Sequence, residues 1–168
     1  MNPLRIEHMT VFDVEPAELV TMAAQLDVPL ISLWVSGRMD GARPVTAANK
    51  RAVLERLRDS PVVVDTAEVF MLSPDPRRAE PEIALAAELG ARCIVAINFM
   101  AADASVAARQ FADLCALAGR YGLLVSLEPL AMGATRTPAD GLRLLRDSGA
   151  ANARLTVDLL HLVRTGTA

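Results

Sequence analysis

Two carboxylates and a histidine near the end of the chain have spacings suited to metal or acid–base chemistry. Glu128 lies in the run 123–130, where polar residues alternate with apolar ones as on a half-buried strand. Asp158 has the equivalent place in the run 154–160, and His161 follows it. Carboxylates that point into one cavity repel each other unless a cation, a proton or a base compensates. The pattern indicates a divalent-metal site, but a carboxylate at a strand end also commonly caps the next helix, and spacing alone leaves both interpretations open.

Six apolar runs must position these residues, and their order predicts the fold. Each run is rich in Val, Ile and Leu and is followed by a stretch with helical spacing. Most of the runs begin about 31 residues apart, and strands that alternate with helices build βαβ units with a parallel sheet. The predicted strands are residues 4–11, 28–35, 61–70, 92–99, 123–130 and 154–160.

Helix-boundary signals support the same alternation. Thr137 and Asp140 form a capping signature at the start of one helix. At three places a glycine stands between a helical stretch and the next strand, where a left-handed residue is needed to end the helix. These glycines are Gly90, Gly122 and Gly149.

Two architectures fit this alternation, an open doubly wound sheet and a (β/α) barrel. The near-constant repeat favours the barrel, and no glycine-rich phosphate loop follows the first strand. We therefore predict an α/β fold, a TIM barrel formed by a single domain over residues 1–168. A complete barrel takes about 250 residues. The chain should thus hold an incomplete barrel, with about six strands and five helices.

Composition excludes several classes of partner. The chain has 168 residues, with 17 basic and 20 acidic side chains and a net charge of −3. Without a basic run it lacks the positive surface that nucleic acids or anionic membranes bind. Its longest uncharged stretches have about ten residues, too few to cross a bilayer, and no secretory signal follows Met1. Because Cys93 and Cys115 are also expected to be reduced, these features predict a soluble cytoplasmic protein.

Two runs in the second half of the chain resemble the xylose isomerase-like TIM barrels, in particular the sugar phosphate isomerases and epimerases. The runs are Val-Ser-Leu-Glu-Pro-Leu (125–130) and Leu-Thr-Val-Asp-Leu-Leu-His-Leu-Val-Arg-Thr-Gly (155–166). The resemblance implies that Glu128 and Asp158 bind a divalent metal, Mn²⁺, Mg²⁺, Co²⁺ or Zn²⁺, and that His161 contacts substrate. It also implies proton abstraction next to a carbonyl of a small sugar or keto-polyol, with Glu128 as a catalytic acid or base.

The chain departs from this family in length. The family has a further histidine ligand on the seventh strand and a second catalytic carboxylate on the eighth, and residues 1–168 include neither strand. We therefore expect a truncated form that binds metal weakly and does not catalyse the reaction alone. Two alternatives are a metal-dependent lyase or dehydratase of the same superfamily, and a non-catalytic partial barrel completed by homo-oligomerisation through the exposed strand edges. The related nucleases need more histidines than the two in this chain.

Other polar or aromatic residues near strand ends are weaker candidates for substrate contacts. Glu68 ends the third predicted strand, although a structural salt bridge explains it equally well. His8 and Asn98 end the first and fourth strands, and Trp34 on the second could form an apolar wall or simply pack in the core. Arg164 could bind an anionic group of the substrate or could only cover the next loop.

Overall fold

The computed structural model describes residues 4–36 and 40–167, in which six parallel strands alternate with six α-helices. The strands are Arg5–Ile6 (β1), Leu30–Trp34 (β2), Val63–Met71 (β3), Cys93–Ile97 (β4), Leu124–Leu127 (β5) and Ala153–Leu155 (β6). The helices are Pro16–Gln25 (α1), Lys50–Arg58 (α2), Glu80–Glu88 (α3), Ala104–Gly119 (α4), Pro138–Ser148 (α5) and Leu159–Thr165 (α6). The sheet order β1-β2-β3-β4-β5-β6 follows the chain, so the predicted βαβ alternation is confirmed.

The first of two compact units comprises Met1–Glu68 and Leu85–Arg92. Within it β1 pairs with β2, β2 pairs with β3, and α1 packs against β2 and α2. A register shift between Ile31 and Ser32 places Ser32 opposite Thr66. The core of this unit contains aliphatic side chains with no exposed surface: Leu19, Val20, Ala23, Ile31, Leu33 and Val53.

The second unit comprises Val69–Ala84 and Cys93–Ala168. In it β5 pairs with β4 and β6, α4 packs against α5 and β5, and α5 packs against β6. Its fully buried core residues are Ile83, Ile94, Ala96, Phe111, Ala118, Val125 and Leu127. Alternation along β5 thus buries one face in the core and leaves the polar residues on the other face.

The helix boundaries match the sequence signals. Thr137 and Asp140 form a complete capping box at the start of α5. Gly90, Gly122 and Gly149 all have positive φ angles, of 80°, 74° and 65°, in the left-handed region that ends a helix. No helix in the described part of the chain is long and apolar enough to span a bilayer.

Two predicted strands are too long, because each gives way to a helix. The first predicted strand, 4–11, ends at Ile6, and a 3₁₀ helix begins at His8. The sixth, 154–160, ends at Leu155, and α6 begins at Leu159. The prediction of five helices was therefore one short.

Gly141 allows α5 to lie close to the strands. A Cβ at this position would come within 2.6 Å of Leu155 Cδ1 and 2.9 Å of Pro129 Cγ. Such contacts are far inside van der Waals distance, and the proline ring cannot rotate away. A glycine is therefore required where α5 crosses the chain around β5 and β6.

Gly141→Ala is expected to lower the free energy of unfolding by about 1–3 kcal/mol, because overpacking outweighs the better helix propensity of alanine. Urea unfolding followed by circular dichroism measures the change. Gly119→Ala is the matched control, since its nearest contact is Asn152 Nδ2 at 3.5 Å. Equal stability of the two variants would contradict this packing argument.

Candidate functional site

Glu128, Asp158 and His161 come together in the second unit. Their potential ligand atoms all lie within 4.8 Å of one another. The Glu128 N–H donates to Ala96 O at 2.8 Å, which fixes this residue directly after β5 and beside β4. Asp158 follows β6, so the carboxyl ends of two neighbouring strands bring the three side chains to one place, as the spacing indicated.

The Asp158 carboxylate caps α6 and still has one oxygen facing away from that cap. Oδ1 accepts the N–H of Leu160 at 2.6 Å and that of His161 at 3.3 Å. Oδ2 makes no hydrogen bond to any residue within 4–36 or 40–167. Capping uses Oδ1, so the helix-cap interpretation is confirmed, and the metal-site interpretation stays a prediction.

His161, which follows the sixth predicted strand, is the third residue of α6, and it is 9% exposed. Its Nδ1 accepts the N–H of Ala131 at 3.4 Å. A neutral imidazole that accepts at Nδ1 carries its proton on Nε2, so this hydrogen bond assigns the tautomer. In that form Nε2–H is a donor, suited to a substrate oxygen rather than to a metal ion.

Two hydroxyl groups, each two residues before one of the carboxylates, are in contact with each other. Ser126 Oγ and Thr156 Oγ1 are 2.6 Å apart. Each lies two residues before its carboxylate, on the same face of the chain. The two hydroxyls are in contact although the strand register places Ser126 opposite Arg154.

The side-chain amide of Asn98 is used within the chain. The residue is 2% exposed. Nδ2 donates to Ala101 O at 2.9 Å and to Thr135 Oγ1 at 3.0 Å, and Oδ1 accepts the Ala101 N–H at 3.0 Å. These bonds brace the loops that follow β4 and β5, and the substrate contact predicted for Asn98 stays a prediction.

A carboxyl pair lies in the first unit, where Glu68 hydrogen-bonds to Glu7 and to Ser32. Burial, followed by the nearby Glu7 carboxylate, raises the pKa of Glu68 well above its ordinary value. Burial acts to raise the pKa of Glu7 too, but hydrogen bonds from Glu68 and Ser32 and the charge of Arg5 outweigh it and lower that pKa. Arg5 also pairs with Asp65 at 2.8 Å. Burial and the Glu7 carboxylate therefore raise the pKa of Glu68, while hydrogen bonds and Arg5 lower the pKa of Glu7.

His8 and Trp34 are core residues of the first unit. His8 has no exposed surface; its Nδ1 accepts the Trp34 N–H at 3.0 Å and its Nε2 lies 3.1 Å from Val14 O. Burial lowers the pKa of His8. Trp34 is 3% exposed and donates Nε1–H to Ser36 Oγ at 2.8 Å. These polar atoms are engaged within the first unit, and the substrate contacts predicted for the two residues stay predictions.

Arg164, the remaining candidate, lies exposed in the last turn of α6. A cation there interacts favourably with the helix dipole.

Comparison with known proteins gives matches among solved structures alone. No protein-family model and no curated protein matches the chain. A xylose isomerase domain-containing protein from Salmonella typhimurium LT2 has a TM-score of 0.80 at 16% identity, over 100% of this chain and 66% of its own. The probable 3-DHS dehydratase AsbF from Bacillus anthracis has a TM-score of 0.77 at 17% identity, over 98% and 66%. D-psicose 3-epimerase from Clostridium cellulolyticum H10 has a TM-score of 0.77 at 10% identity, over 96% and 65%.

The chain has the xylose isomerase-like TIM-barrel fold. It spans about two thirds of the length of these solved structures, 65–66%. Residues 4–36 and 40–167 form six strands, whereas a complete barrel has eight. In TIM barrels the active site forms at the carboxyl ends of the strands. Glu128 and Asp158 follow two such ends.

Glu7 is the residue of interest that sequence reasoning missed. Arg5 and Glu7 alternate as a polar pair within the first predicted strand, and this alternation was the available signal. The pairing of Glu7 with Glu68, however, depends on a register across three strands that includes a shift after Ile31.

Proposed function

We propose that this chain provides the metal-binding and substrate-binding strand ends of an isomerase or epimerase that acts on a small sugar or keto-polyol. The convergence of Glu128, Asp158 and His161 within 4.8 Å is the observation that carries the proposal. The similar fold of a D-psicose 3-epimerase supports the reaction class. Fold similarity at this identity leaves the reaction itself to experiment.

The donor set fits a divalent cation. Glu128 and Asp158 would hold it, since carboxylate oxygens are ligands for Mn²⁺, Mg²⁺, Co²⁺ and Zn²⁺. His161 would stay outside the ligand set because its Nδ1 already accepts the Ala131 N–H. A bound divalent cation would supply Lewis-acid polarisation of a substrate carbonyl.

The chain's own residues would bind the substrate and move a proton. Glu128 would accept a proton from the carbon next to the carbonyl, as a general base. His161 would donate its Nε2–H to a substrate oxygen and so orient the sugar. Asp158 would keep α6 and His161 in place through the N–H groups that it caps.

A second acid–base group and further metal ligands would come from a seventh and an eighth strand. We propose that the protein acts in the cytoplasm, without nucleic-acid or membrane partners. The exposed edges of β1 and β6 would favour pairing with another copy if the barrel is completed by oligomerisation. A dehydratase is the second candidate, because AsbF has a similar fold.

Exchange of substrate C–H protons with solvent deuterium tests the proposal. We expect Mn²⁺-dependent loss of a C–H proton signal from a ketose in D₂O, catalysed by the chain extended with two further βα units. Glu128→Gln should abolish this exchange, while the exposed-site control Asp113→Asn should retain it. Absence of exchange with every ketose, together with formation of a conjugated carbonyl from a hydroxyketone, would replace the epimerase by a dehydratase.

A further inference from the structure

The loop between β5 and α5 is held by hydrogen bonds to Asn98, which directly follows β4. The backbone O of Asn98 accepts the Ala134 N–H at 2.8 Å, and its side-chain Nδ2 donates to Thr135 Oγ1 at 3.0 Å. Because Oδ1 accepts a backbone N–H from Ala101, the orientation of the amide is determined. Asn98 and Thr135 are 2% and 5% exposed, so water does not compete for these bonds.

The same loop also contains internal backbone hydrogen bonds that form a closed turn over residues 130–135. Leu130 donates its N–H to Thr135 O at 3.0 Å, and Gly133 donates its N–H to Leu130 O at 2.8 Å. A Cβ on Gly133 would lie 2.8 Å from the backbone O of Asn98. The loop therefore approaches Asn98 as closely as a glycine permits, and its position depends on that residue.

The same loop presents a backbone donor to the site histidine. Ala131, next to Leu130 in the closed turn, donates its N–H to Nδ1 of His161 at 3.4 Å. A peptide N–H can only donate, so it selects the imidazole tautomer that has a bare Nδ1 and a protonated Nε2. Displacement of the loop would remove this selection.

We propose that Asn98 and Thr135 are positioning residues that act through the β5–α5 loop to hold His161 as the Nε2–H tautomer. The Asn98 amide holds the Thr135 hydroxyl, and the Thr135 backbone O holds the Leu130 N–H. These bonds fix the turn from which Ala131 donates its N–H to His161. The proton on Nε2 is thereby directed away from Ala131. What Nε2–H meets in catalysis rests on the proposed function, whereas the tautomer itself does not.

Nitrogen NMR of the histidine rings tests the proposal directly. The chain has two histidines, and long-range proton–nitrogen correlations distinguish a protonated ring nitrogen from a bare one. At a pH where both rings are neutral, we expect His161 to show a bare Nδ1 and a protonated Nε2. Thr135→Val, which removes the hydroxyl at similar volume, and Asn98→Ala should both move the two nitrogen shifts towards their average.

Three controls separate positioning from loss of the fold. His8 is held by Trp34 and Val14 in the first unit, so its ring shifts should not change and report that the chain is folded. Thr135→Ser keeps the hydroxyl and should restore the wild-type His161 pattern. Asn152→Ala removes an amide that donates to Cys115 O and Leu123 O, both at 3.0 Å, and should leave His161 unchanged.

The proposal is overturned if His161 keeps a fully protonated Nε2 in both Thr135→Val and Asn98→Ala. It is equally overturned if wild-type His161 has its proton on Nδ1, or if Asn152→Ala shifts the ring nitrogens as much as Thr135→Val does. These outcomes are independent of metal binding and proton exchange. Failure of the proposed enzyme function would therefore leave the tautomer result standing.

Discussion

Glu68→Gln is expected to remove most of the loss of stability that the wild-type chain shows as pH rises above 4.5, the ordinary pKa of a glutamate. In the folded chain Glu68 is buried against Glu7 and its pKa is raised, so it keeps a proton that the unfolded chain releases. The free energy of unfolding then falls by up to about 1.4 kcal/mol per pH unit between the unfolded and the folded pKa. Glutamine is neutral throughout and can still donate an N–H to Glu7.

The neighbouring Glu7 acts in the opposite sense. Its pKa is lowered in the folded chain, so its contribution to stability is present above pH 4.5 and is lost as pH falls through the folded pKa. The decline that is expected towards higher pH therefore belongs to Glu68.

Urea unfolding between about pH 5 and about pH 8 measures the difference in slope. The variant should give a nearly flat stability profile where the wild type declines. Asp13→Asn, at an exposed position in the first unit, controls for the loss of one negative charge. Parallel profiles for wild type and Glu68→Gln would show that Glu68 does not retain a proton on folding.

Asp158→Asn and Asp158→Ala are expected to separate the two uses of this carboxylate. Asparagine is as good an N-cap as aspartate, so the first variant should retain α6, whereas alanine should cost about 0.5–2 kcal/mol. Both variants lose the negative charge and the anionic oxygen at Oδ2. Both should therefore weaken Mn²⁺ binding by at least about tenfold.

Calorimetric titration with Mn²⁺ gives the affinity, and urea unfolding gives the stability of the same samples. The decisive comparison is Asp158→Asn, which should fold like wild type and bind metal poorly. If its affinity equals that of wild type, Asp158 serves as a helix cap alone.

Alternation along the chain was enough to predict that Glu128 and Asp158 converge. In a parallel sheet every second residue shares a face, and strand ends meet at the same edge, so two short patterns determine the place of both carboxylates. The chain order of β5 and β6 was enough to make them neighbours in the sheet, but it did not determine their register, which pairs Ser126 with Arg154. Ser126 Oγ and Thr156 Oγ1, 2.6 Å apart, therefore belong to residues that are offset in this register.

Other features depend on tertiary contacts that alternation does not encode. α6 has seven residues, and Leu159, Leu160 and Val163 are all more than half exposed, so the segment has no amphipathic pattern. Its first two residues were therefore predicted as the end of the sixth strand. The roles of His8 and Asn98 depend on partners from other segments, Trp34 and Thr135 among them. The sequence therefore predicted that these side chains lie at strand ends, but it did not predict which groups they hydrogen-bond to.

Mn²⁺ binding to wild type and Glu128→Gln is the most direct test of the proposed site. Glutamine preserves size and hydrogen bonding but removes the charge, and Glu68→Gln in the first unit serves as the matched control. Titration followed by electron paramagnetic resonance should show one weak Mn²⁺ site per chain in wild type and in Glu68→Gln. In Glu128→Gln the affinity should fall by at least about tenfold. Equal affinity in Glu128→Gln and wild type would contradict the assignment of the metal site.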